Sequence, residues 1–104
     1  MKKILSQASA YIVAKEQVRN ADWWIKYTRE DCRKSNKKNH HNDKFFFGSI
    51  YKDLREFSKN DFERFSKSVK IFQEFPSDEN YTYMLDKYSS LLSSLAIERR
   101  FCNQ

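Results

Sequence analysis

A chain of 104 residues with 20 Lys/Arg against 14 Asp/Glu, net charge +6, can bury one hydrophobic core, so a single domain over 1–104 is expected. One Gly and one Pro leave few places for hairpins or phosphate-cradling loops; this disfavours β-rich folds and Gly-loop enzymes and predicts an all-α bundle of about four helices. The excess charge is local: residues 1–44 carry 11 Lys/Arg and 5 Asp/Glu, residues 45–104 carry nine of each.

From the N-terminus, Ile4, Tyr11, Val18, Ile25 and Cys32 recur every seven residues, with Ala14, Ala21 and Thr28 three positions behind most of them. The pattern predicts one long helix from about Lys2 to Lys34 whose small residues admit a close neighbour. At about 1.5 Å per residue it would be on the order of 50 Å long, more than shorter partners could cover. A break at Asn20–Asp22 or pairing into a homodimer would relieve the mismatch. The opening MKKILSQASA is read as helix rather than leader, because Ser and Gln interrupt its short apolar stretch.

Residues 35–44 are polar, charged and aperiodic, and predict a mobile basic loop. Ser49 then caps a short helix with Ile50, Leu54 and Phe57 inward, ending near Ser58. Asn60 with Glu63 three residues on resembles a capping box for another helix, whose stripe is Phe62, Phe65, Val69 and Phe72. Pro76 ends it. Ser77 caps the last helix, with Met84, Tyr88, Leu91, Leu92 and Leu95 inward and Arg99 and Arg100 suiting its C-terminal dipole. The segment from Tyr51 to Phe65 has a helix-turn-helix rhythm, but Asp61 and Glu63 would repel phosphate from the reading helix, so two short bundle helices explain it better.

Of the chemistries considered, catalysis has least support. No Gly-rich phosphate loop, nucleophile elbow or HExxH pair occurs, and the acids alternate with bases at helical surface spacings, so no catalytic residues and no cofactor are expected. Cys32, His40, His41, Asp43 and Cys102 form the one metal-like grouping, yet adjacent histidines rarely ligate together. A buried Cys32 with loop histidines is preferred, and no metal is expected. The cysteines lie 70 positions apart without CxxC spacing, which suggests neither a disulfide framework nor a zinc knuckle and fits a reducing cytoplasm. No apolar run is long enough for a membrane span.

Binding has more support. Arg19, Lys26 and Arg33 are spaced by seven, Lys15 and Arg29 flank them, Trp23 falls between Arg19 and Lys26, and Tyr27 follows one turn later. With Lys34, Lys37 and Lys38 these residues make a basic and aromatic surface. It suits an acidic protein or a protein–nucleic-acid complex, the role being that of an inhibitor, adaptor or accessory subunit. The alternative is sequence-independent binding of nucleic acid by the same surface, and the bland reading is two core tryptophans beside a solvated Lys/Arg row. Richness in Lys, Asn, Phe, Tyr and Ile implies AT-rich codons, which would suit a phage-type anti-defence or host-modulating protein.

Overall fold

In the structure, a computed structural model, residues 6–38 and 44–103 are described, and within them the side chains of 6–35 and 50–103. They form three helices and no strand: α1 Gln7–Lys38, α2 Lys44–Glu74 and α3 Asp78–Cys102. α2 and α3 make the most extensive contact, and α1 lies across both, nearer to α3. The bundle measures 58 × 19 × 18 Å with a radius of gyration of 16.7 Å. A compact chain of this length would have about 13 Å. The molecule is therefore a rod of side-by-side helices.

Among the described residues three helices stand where about four were expected, because the two short helices predicted on either side of Asn60 are one; the optional break in α1 is absent as well. α1 runs unbroken through Asn20–Asp22. Its buried seam is Ala10, Ala14, Ala21, Thr28, Cys32 and Ser35, all small, so the helix backbones can approach closely. Tyr11, expected in this seam, is 52% exposed, since the tighter small-residue line takes the interface and turns the ring outward.

α2 runs unbroken through Asn60, where a helix was expected to end and another to begin, and the same continuity removes the helix-turn-helix reading. Polar residues hid it. Ser58 and Asp61 face α3 and meet polar partners there: the Ser58 hydroxyl is hydrogen-bonded to the Glu98 carboxyl, and Ser94 donates to Asp61. The inward line therefore continues from Leu54 through Ser58 and Asp61 to Phe65, Val69 and Phe72 at helical spacing. Phe57, expected inward, is 62% exposed, one position off that line. With 32 and 31 residues α1 and α2 are matched in length and α3, with 25, is shorter, so α1 finds a partner helix as long as itself within the chain.

The α2–α3 turn follows the sequence closely. Pro76 follows the end of α2, and Ser77 caps α3 by accepting the Asn80 amide at 3.1 Å. Asp78 and Glu79 in the first turn and Arg99 and Arg100 in the last complement the helix dipole. The core holds Phe65, Val69, Phe72, Met84, Leu91 and Leu95 against the alanines of α1, with Val18, Trp24, Ile25, Phe62 and Tyr88 around it.

The cysteines correct a further expectation: Cys32 and Cys102 are bonded to each other. They tie the C-terminal part of α1 to the end of α3, beside Asn103, which accepts from Ser35 and donates to Asp31 at 2.9 Å. Spacing along the chain hid the pair, since two positions 70 apart return to within a Cα separation of 5.2 Å. Cysteine usage thus ceases to point to a reducing compartment. No described helix is long and apolar enough to cross a membrane. Of the mobile basic loop expected over 35–44, residues 35–38 are helical in α1 and Lys44 begins α2, a correction to that expectation; residues 39–43 lie outside the described residues.

Candidate partner-binding face

At about 100° per residue, Trp23 stands at the middle of the α1 face opposite the buried seam of Ala14, Ala21 and Cys32. Its ring is 57% exposed and Tyr27 is 45% exposed. The two rings stack, with planes 8° apart and centroids 5.3 Å apart. Lys15, Arg19, Lys26 and Lys34 are exposed on the same side of the helix, within about 80° of Trp23; Glu16 and Glu30 are exposed there too, so the side keeps a net positive charge without being cationic throughout. None of these four cations forms an ion pair among the described residues. Lys15 lies 5.5 Å from the Tyr11 ring centroid, so its ammonium already rests on an aromatic face.

The aromatic pair is held from behind. Trp24, half-buried, meets Trp23 edge-on at 4.9 Å and Tyr27 edge-on at 5.9 Å. Arg99 of α3 reaches under this cluster, its guanidinium 5.2 Å from the Trp24 ring and 5.4 Å from the Tyr27 ring. It also donates to Thr28 Oγ1 at 2.6 Å, while that hydroxyl donates to the Trp24 carbonyl at 2.8 Å. Thus α3 fixes the rotamers that α1 displays, and an ordered aromatic platform loses little entropy when a partner lands on it. Arg99 was read from sequence only as a dipole residue. Its distance of 71 positions from Thr28 leaves no local signal of this role.

The structure divides the predicted binding set. Lys15, Arg19, Trp23, Lys26, Tyr27 and Lys34 share one face. Arg33 is exposed but engaged by Glu30 at 2.6 Å, which offsets its charge. Arg29 projects to the α2 side, where it lines a pocket with Tyr51, Lys52, Arg55, Glu56 and Lys59. The side chains of Lys37 and Lys38 lie outside the described residues.

Sequence reading missed Glu98, a carboxyl buried to 2% exposure in α3. Burial pushes its pKa above the usual Glu value; the Ser58 hydrogen bond and the Arg55, Arg29 and Arg99 charges pull the other way without cancelling it. Ser58 also lies 3.0 Å from the Arg55 carbonyl, and one hydroxyl hydrogen cannot serve two acceptors. The hydroxyl therefore donates to the Arg55 carbonyl or to the Glu98 carboxyl, one at a time. Cys32 and Cys102 are not available to the metal-like grouping, being bonded to each other. His40, His41 and Asp43 lie outside the described residues.

No protein family model, no curated protein and no solved structure matches the chain. Its function is therefore argued from the chemistry of its own surfaces.

Proposed function

We propose that the chain is a non-enzymatic binding protein that acts by occupying an acidic macromolecular partner, as an inhibitor, adaptor or accessory subunit does. The observation that carries this reading is the exposed Trp23–Tyr27 stack, braced by Arg99 and surrounded by the cations Lys15, Arg19, Lys26 and Lys34. Trp, Tyr and Arg are the side chains that most often dominate protein interfaces, and two stacked rings give large contact area at low conformational cost. Cations around the stack would steer and orient an acidic protein surface.

Sequence-independent binding of nucleic acid is the second reading, favoured by the same stack as a platform for an unpaired base beside phosphate-neutralising Lys and Arg. Affinity capture from the native host, split with and without nuclease, separates the two. A partner protein retained after nuclease supports the first reading. Loss of all captured protein on nuclease treatment, with direct nucleic-acid binding that collapses between low and physiological salt, replaces it with the second. The phage-type anti-defence or host-modulating role rests on size and composition alone.

A further inference from the structure

Apart from the Trp23 face, the fold gathers four cations at one place: Arg29 from α1, and Lys52, Arg55 and Lys59 from α2. With Tyr51 and Glu56 they line a surface pocket of about 280 Å³ between the two helices. Residues 52, 55, 56 and 59 form one strip of α2 at helical spacing, directed toward Arg29. None of the four cations forms an ion pair among the described residues. Like charges three to four positions apart weaken a helix by a few tenths of a kcal/mol, so the cluster is a standing cost to the fold.

The buried Glu98 accounts for only part of it. Its carboxyl interacts electrostatically with Arg29 and Arg55 and also with Arg99, and it carries at most one negative charge. Glu56 adds one more on the pocket lining. Four lining cations against one lining carboxylate leave three unbalanced positive charges at the mouth. Tyr51 is partly buried beside them, its phenol pushed above the usual value by that burial, so it stays a hydroxyl that can donate to an anion. The Arg55 guanidinium lies 5.9 Å from the Tyr51 ring centroid, so the two donor groups are neighbours on the pocket lining.

We infer that this pocket binds a phosphate monoester, with Arg29 and Arg55 gripping its oxygens, Lys52 and Lys59 supplying charge and the Tyr51 hydroxyl completing the donor set. Concentration is the argument for a dianionic monoester. A diester backbone is tracked by cations spread along a surface, whereas here four cations converge on one small concavity. A volume at the lower end of small-molecule clefts suits a phosphoryl group rather than a large apolar ligand. The site uses none of the residues on the Trp23 face, so it stands or falls independently of the partner proposed above.

The test is a titration of the intact, disulfide-bonded protein followed by backbone amide shifts, with inorganic phosphate, a nucleoside 5′-monophosphate and an unphosphorylated oligonucleotide as separate probes at matched ionic strength. Saturable shifts confined to the surroundings of Arg29 and residues 51–59 are expected with the first two probes. At least tenfold weaker binding is expected in Arg29→Gln/Arg55→Gln, and unchanged binding in Lys70→Gln, an exposed α2 site outside the pocket. If the Arg pair unfolds the chain, the exposed pair Lys52→Gln/Lys59→Gln replaces it with the same expectation. Shifts spread over all basic faces, no saturation, equal binding by the variants, or equal affinity per phosphate for the oligonucleotide would overturn the proposal.

Discussion

Glu98 shows how one buried side chain sets a pH response. Its folded-state pKa lies above the unfolded value near 4.5, so the native state keeps this proton longer than the unfolded chain does. The stability this group contributes is fully present below the unfolded value and declines as pH rises through it toward the folded value. Glu98→Gln, which cannot ionise, should therefore be more stable than the wild-type protein at neutral pH, with the gap closing as pH falls below 4.5. Denaturant unfolding at several pH values checks this. A Glu98→Gln protein less stable at pH 7 than at pH 4, relative to wild type, would mean that the carboxylate is held ionised by Arg29, Arg55 and Arg99. Glu98 stands on the inward stripe of α3, seven and three residues after Leu91 and Leu95, so its burial follows from local spacing, whereas its partners Ser58 and Arg55 lie about 40 positions away and leave no local signal.

At the scale of elements, the outward and inward faces of α1 were largely legible, and so were Pro76 and Ser77 as stop and cap, since these depend on local periodicity and capping. The continuity of α2 was not. Ser58, Asn60 and Asp61 carry the composition of a break, and only Glu98 and Ser94 on the facing helix make that polar stretch an interface. Asn60→Ala distinguishes the two arrangements. In the interior of one exposed helix face the change should stabilise by about 0.5 kcal/mol, whereas loss of a helix cap would cost about 1 kcal/mol. Thermal or urea unfolding reads the sign directly.

The disulfide acts between elements. It closes a span of 70 residues and joins α1 to α3 near their ends. Loop-closure entropy for such a span gives about 4 kcal/mol, and measured values for disulfides are typically about 2–4 kcal/mol. Reduction, or Cys32→Ser/Cys102→Ser, should lower the midpoint of thermal unfolding by roughly 10 °C or more in a chain of this size. The aromatic stack should also loosen, since Arg99 and Thr28 lie within four residues of the bonded cysteines; tryptophan fluorescence anisotropy or near-UV circular dichroism would register it. An unchanged midpoint would show that the packing of α1 on α3 suffices without the bond.

For the whole molecule, a rod of three long helices displays two cationic features on different sides: an aromatic-centred face on α1 and a pocket between α1 and α2. The chain's charge asymmetry anticipated only the first. The pocket arises because Arg29, from the basic part of the sequence, meets Lys52, Arg55 and Lys59 from the balanced part, where their charge was averaged away by acids of which only Glu56 lines the pocket. The central claim is that the Trp23 face holds an acidic partner. Quantitative affinity capture from nuclease-treated extract of the native host, comparing wild type with Arg19→Glu/Lys26→Glu and with Lys37→Gln/Lys38→Gln, tests it most directly. Charge reversal beside the stack should abolish retention of the partner, while neutralising Lys37 and Lys38 should mainly slow its association. Retention unchanged by the Arg19 and Lys26 reversals would contradict the account.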